Sequence, residues 1–187
     1  MSWELVFVTG GARSGKSRHA ETLAAGLGDR VLYVATAEAA DDEMRRRIEE
    51  HQRRRPHSWE TLEARRSVGK RLRALDGAPE VVLLDCLSLL VSNALLDEAA
   101  RRGEGPGLED AAARAVGEEL SDLLNWYGEA GRHLVVVSNE VGWGVVPPSR
   151  LGRIYRDLLG NANQQIAARA DRVVLMVAGL PLEVKRP

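Results

Sequence analysis

The sequence predicts an α/β protein with a mostly parallel β-sheet flanked by helices on both faces. Three observations carry that expectation. Five short apolar runs, rich in β-branched residues, recur along the chain. They are near-continuous rather than alternating, as strands covered on both faces require. Segments of helical composition lie between them, and strand–helix alternation builds parallel sheets through crossover connections. The first run leads into Gly10-Gly11-Ala12-Arg13-Ser14-Gly15-Lys16-Ser17 and then a helix. That stretch reads G-x-x-x-x-G-K-S in a strand–turn–helix context, which makes the expected fold P-loop NTPase-like.

The elements follow in order. Leu5–Thr9 is the first strand, and 17–27 the helix after the glycine turn. Gly10, Gly11 and Gly15 allow the backbone to curl so that successive N–H groups face phosphate oxygens. The helix adds the positive end of its dipole. Lys16 would reach the β- and γ-phosphates, and the Ser17 hydroxyl would ligate Mg²⁺. Val31–Ala35 is the second strand.

A charged helix is expected over 42–54, with Asp41 or Asp42 as N-cap and Pro56 as stop. Met44, Ile48 and His51 share one face of it, among Arg45, Arg46, Arg47, Arg53, Arg54 and Arg55. Three readings are open. The helix is a solvated surface whose arginines pair with Glu43, Glu49 and Glu50. It is an arginine lid over a transferred phosphate. Or His51 is a nucleophile, since neutral imidazole attacks phosphorus and the phosphoramidate reacts readily when protonated.

A helix over 64–75 precedes the strand Val81–Asp85. A strand of that type in phosphate-loop proteins delivers an aspartate to the Mg²⁺ shell. Asp85 is therefore a metal candidate, against the plainer reading that Asp favours the turn after a strand. Helices follow at 87–100 and 108–130, separated by the surface loop Gly103–Gly107. Leu134–Ser138 is the next strand, and Glu140 lies just past its end. Its carboxylate either orients a nucleophile or metal-bound water, or accepts backbone N–H bonds within its loop. Pro147-Pro148-Ser149 starts a helix over 150–169, with Leu151, Ile154, Tyr155, Leu158, Leu159, Ala162 and Ile166 on one stripe. Val173–Val177 is the last expected strand.

Composition narrows the class. The 187 residues read as one domain, 1–187, without repeat or linker. A net charge of −1 and the absence of aromatic–basic interleaving argue against a nucleic-acid-binding switch or motor, which is the rival reading of the glycine loop. A plain small-molecule kinase with an arginine lid is a second rival. The chain has three lysines among 26 basic residues, so the one in the loop is the less an accident of composition. The single cysteine, Cys86, sits in an apolar run and forms no internal disulfide. With no signal peptide and no apolar stretch near 18 residues, a cytoplasmic location without membrane span is expected.

The motifs together resemble the bifunctional adenosylcobinamide kinase / adenosylcobinamide-phosphate guanylyltransferases, enzymes of cobalamin (vitamin B12) assembly. The resemblance runs through Thr9–Glu21, Tyr33–Ala37, Asp41–Met44, Arg47-Ile48 with His51 and Arg55-Pro56, and Trp59, Thr61 and Glu63. It continues through Leu84–Leu87, Asn139–Pro147, Arg150-Leu151, Tyr155–Asp157 and Asn163-Gln164. The glycine loop alone is unspecific; the His51 and NEVGWGVVP segments together are specific. The resemblance implies phosphorylation of adenosylcobinamide with ATP or GTP, then transfer of GMP from GTP to adenosylcobinamide phosphate. His51 would carry GMP covalently. Nucleotide contacts are implied on Gly10–Ser17, Thr36, Ala37, Glu38, Gln52, Arg53, Arg54, Arg55, Glu63 and Asp85. Mg²⁺ with GTP or ATP, no prosthetic group and a homotrimer are implied as well. The intact loop favours both activities.

Overall fold

The apolar runs are strands because their side chains are buried on both faces. In the computed structural model, which describes residues 3–37, 55–75, 77 and 79–186, they form β1 (Leu5–Gly10), β2 (Val31–Ala35), β4 (Val81–Asp85), β5 (His133–Val137) and β6 (Arg172–Val177). Two further strands join them, β3 (Glu60–Glu63) and β7 (Leu180–Lys185). The sheet order is β3-β2-β4-β5-β1-β6-β7. All neighbours are parallel except β7, which runs antiparallel to β6.

Neither edge strand has an apolar run to announce it. Glu60-Thr61-Leu62-Glu63 is mostly exposed, and β7 carries Pro181, which an edge strand tolerates because its N–H is not needed by a ladder.

Helices α1 (Lys16–Leu27), α2 (Val68–Arg73), α3 (Leu87–Arg102), α4 (Leu108–Ala130) and α5 (Arg150–Arg169) connect the strands. The sheet face carrying Phe7, Val34, Leu84 and Val136 packs against α2 to α5. The opposite face, with Val8, Tyr33, Leu83 and Val137, packs against Ala20 and Ala24 of α1. Each fully buried leucine or phenylalanine in these layers contributes about 1.5–3 kcal/mol relative to exposure. α2 is shorter than the expected 64–75. Ala64 N–H still bonds Ala35 as an extension of the β2–β3 ladder, and Ser67 turns left-handed at φ 58°. The carboxylate of Glu119 then takes the N–H groups of Ser67 and Val68 at the helix start. The helix expected over 42–54 lies outside the described residues. No helix among the described residues is long and apolar enough to cross a membrane.

Candidate functional site

The glycine loop leaves β1 at the edge where the parallel strands end and passes directly into α1. A Cβ at Gly10 would lie 2.6 Å from the Met176 carbonyl oxygen and 2.8 Å from Ser14 Oγ, so only glycine fits between them. Gly15, at φ 90°, turns the chain into α1, and no side chain caps that helix. Its first-turn N–H groups are thus directed at whatever anion occupies the loop. Two braces hold the loop from distant parts of the chain. Glu140 N–H donates to the Gly10 carbonyl at 2.9 Å, and Gly179 N–H donates to the Ser14 carbonyl at 3.0 Å.

Within the loop, Lys16 is only 9% exposed, and its ammonium donates to the Gly11 carbonyl at 3.0 Å. The stem is buried and the charge spans the loop. The buried Ser14 hydroxyl has no hydrogen-bond partner among the described residues, leaving it available to a phosphate oxygen. Ala12 and Arg13 are exposed on the outer turn, and Ser17 is half-buried in the first turn of α1.

Asp85 ends β4 at the same edge and is half-buried. Its Oδ2 accepts the Tyr33 hydroxyl at 2.8 Å. Burial, reinforced by the Asp85 charge, holds the Tyr33 phenol far above its ordinary pKa, so it stays a neutral donor. The Arg55 guanidinium lies 3.4 Å from the centroid of the Tyr33 ring.

Thr36 is fully buried. Its hydroxyl donates to the Cys86 carbonyl and accepts the Cys86 N–H, both at 2.8 Å. Asn93 Nδ2 holds the Thr36 carbonyl at 3.0 Å. The Thr36 side chain is therefore a strut between the ends of β2 and β4, committed on both sides. Ala37 follows it, half-buried, and Glu63 ends β3 exposed, opposite Ala35. Glu38, His51, Gln52, Arg53 and Arg54 lie outside the described residues.

Beyond Asp85, burial pushes the Cys86 thiol up to about 11, and the Asp85 charge adds to this. The positive charge of Lys16 acts on it in the opposite direction, which puts the loop lysine and the β4 end in one electrostatic neighbourhood. Cys86 Sγ meets Ser88 Oγ at 2.9 Å, and Asn139 Nδ2 donates to the same hydroxyl at 2.9 Å. Asn163 Nδ2 donates to the Asn139 carbonyl at 3.1 Å and its Oδ1 accepts Ser138 Oγ at 2.7 Å. This polar belt ties the ends of β4 and β5 to α3 and α5. Glu140 Oε1 accepts the Gly142 N–H at 2.7 Å, the loop-residue arrangement of the two that its sequence allowed.

Sequence reasoning assigned no role to Tyr33, Ser88, Asn139 or Asn163. The visible signal for Tyr33 was an aromatic in an otherwise aliphatic strand. The others are single polar residues in apolar surroundings, and only the fold shows that they meet.

A parallel sheet whose first strand ends in this loop and whose β4 carries an aspartate to the same edge defines a P-loop nucleotide-binding protein. Among solved structures, the chain is similar to a prototypical ATPase from the type III secretion system of pathogenic bacteria, with a TM-score of 0.58 at 13% identity. The match covers 92% of this chain and 51% of that ATPase, so the chain spans about half its length and shares the fold. The chain belongs to the cobinamide kinase / cobinamide phosphate guanyltransferase family, whose model matches residues 6–184. It is 42% identical over 183 residues to the bifunctional adenosylcobalamin biosynthesis protein CobU of Escherichia coli (strain K12), covering 97% of this chain and 99% of that one. It is 45% identical over 178 residues to the bifunctional adenosylcobalamin biosynthesis protein CobP of Pseudomonas aeruginosa, covering 95% of each.

Proposed function

We propose that the protein carries out two successive transfers of cobalamin biosynthesis on one nucleotide site. In the first, the aminopropanol hydroxyl of adenosylcobinamide attacks the γ-phosphorus of ATP or GTP, and the nucleoside diphosphate leaves. In the second, His51 attacks the α-phosphorus of GTP and pyrophosphate leaves. The phosphate of adenosylcobinamide phosphate then displaces the histidine, giving adenosylcobinamide-GDP. The observation that carries this reading is the convergence of Lys16, the uncapped start of α1 and Asp85 on one sheet edge.

One loop serves both steps because the acceptor, not the triphosphate, changes. Lys16 and the loop N–H groups hold the phosphates and stabilise charge on the leaving oxygens. The covalent step splits one hard displacement into two easier ones. Gln52, Arg53, Arg54 and Arg55, beside His51 in sequence, supply further cations and donors, and Glu38 and Glu63 complete the nucleotide contacts. Mg²⁺ fits this donor set: Ser17 and Asp85 are hard oxygen donors, and the ion takes one or two protein oxygens with phosphates and waters. When bound, it neutralises charge on the triphosphate. The protein acts in the cytoplasm as a homotrimer on this reading. An edge strand that exposes Leu180, Leu182 and Val184 supports assembly.

Incubation with GTP labelled at the α-phosphate, followed by peptide mapping, tests the covalent step. Label is expected on His51, acid-labile and alkali-stable. His51→Ala should lower GMP transfer by several orders of magnitude while cobinamide phosphorylation largely survives. Label on another residue, or none while transfer proceeds, would refute the assignment.

A further inference from the structure

The β2–β4 register sets Tyr33 opposite Leu83 and Ala35 opposite Asp85. Side chains alternate along strands, so Tyr33, Leu83 and Asp85 share the face covered by α1. An aromatic side chain spans the diagonal from Tyr33 to Asp85, and the hydroxyl closes it at 2.8 Å. The same ring presents its face to Arg55, 3.4 Å from the guanidinium carbon. Arg55 also reaches the Thr61 hydroxyl of β3, at 3.4 Å. Tyr33 itself is 4% exposed and is held among the apolar side chains of this layer.

We propose that Tyr33 is a positioning residue that couples two parts of the nucleotide site, orienting Asp85 with its hydroxyl and seating Arg55 on its ring. The proposal rests on the reading of Asp85 and Arg55 as nucleotide-site residues. The physical case has two parts. A carboxylate that accepts a short bond from a buried neutral phenol loses its freedom to rotate, so its other oxygen is presented in one direction. A guanidinium carbon held 3.4 Å over a ring centroid is anchored by the ring, and its N–H groups are the donors that planar phosphate recognition uses.

Double-mutant cycles on the full chain test this, read as GTP affinity by calorimetry in Mg²⁺ buffer with melting curves as the folding control. Arg55→Ala should weaken GTP binding about 10- to 150-fold in the wild-type background, the range of a hydrogen bond to a charged group expressed as affinity. The same loss should persist in Tyr33→Phe, which keeps the ring, and shrink to less than about twofold in Tyr33→Leu, which removes it. The loss caused by Asp85→Asn should shrink in the same way in Tyr33→Phe, which lacks only the hydroxyl. Should Tyr33→Leu fail to fold, the cycle of Tyr33→Phe with Asp85→Asn decides alone. Losses that are real in the single variants but purely additive would overturn the coupling and leave the site reading standing. Single variants of Arg55 and Asp85 with wild-type affinity would overturn that reading and the coupling with it.

Discussion

Lys16→Ala removes the loop ammonium and leaves a good helix former at the first position of α1. The folded protein loses the hydrogen bond to the Gly11 carbonyl, worth about 1 kcal/mol. For a chain of this length that lowers the melting temperature by roughly 2–4 °C. The nucleotide loses more. A hydrogen bond to a charged group contributes about 1.5–3 kcal/mol, which predicts GTP binding about 10- to 150-fold weaker. The upper part of that range applies if the ammonium bridges the β- and γ-phosphates, since the buried stem holds it in place without reorganisation. Calorimetric titration with GTP and Mg²⁺, beside turnover in both transfer assays, measures the effect. Lys16→Arg keeps the charge, but its larger head must fit a side chain only 9% exposed, so it should restore little. Affinity and turnover of Lys16→Ala both within about twofold of wild type would refute the assignment of the loop as the nucleotide site.

Glu119→Ala should destabilise the fold by about 2–4 kcal/mol in urea unfolding, because the Ser67 and Val68 N–H groups lose their buried acceptor and Arg66 is left with Asp97 as its remaining carboxylate partner. A loss near zero would mean that water replaces the carboxylate. Gly10→Ala should abolish nucleotide binding and lower thermal stability, since its Cβ strikes the Met176 carbonyl, whereas Gly11→Ala, whose Cβ meets no atom within 4 Å, should melt like wild type. Equal melting temperatures for the two would contradict the loop geometry. Cys86, raised from 9.0 to about 11, is a neutral thiol at pH 8 and should react with thiol reagents only on unfolding. Its raised pKa contributes stability that is complete below pH 9 and lost as the pH climbs through about 11, so Cys86→Ala should flatten the loss of stability over that interval.

The five central strands and the long helices were legible because burial on both sheet faces and on one helix stripe writes a period into the chain. Leu134 to Val137 and the Ile154–Ile166 stripe are examples. The edge strands left no such mark. Glu60–Glu63 has one partly buried side chain, and Leu180–Lys185 has none, so their pairing is a property of the backbone ladder. The turn between β1 and α1 and the aspartate at the end of β4 were legible in position, because the motif's glycines and the apolar run before Asp85 mark them. The family resemblance implied a nucleotide contact at Thr36, while its work as a strut depends on the β2–β4 register. Tyr33 and the Ser88–Asn139–Asn163 belt were not legible, because their partners lie on other strands and helices, at distances in sequence that no local pattern encodes.

The position of β1 has a consequence for how the protein is made. It precedes the other described strands in the chain, yet it sits between β5 and β6, more than 120 residues further on. The backbone bonds that brace the glycine loop come from Glu140 and Gly179. The residues that spell the phosphate motif therefore leave the ribosome well before the residues that brace them. Pairings of such sequence separation fold slowly, because loop closure must precede the contacts that reward it. A nascent chain halted between β5 and β6 would carry the complete motif but only one of its two braces. Affinity for nucleotide is thus gained late in synthesis, and a chain that holds GTP is one whose sheet has already closed around its first strand.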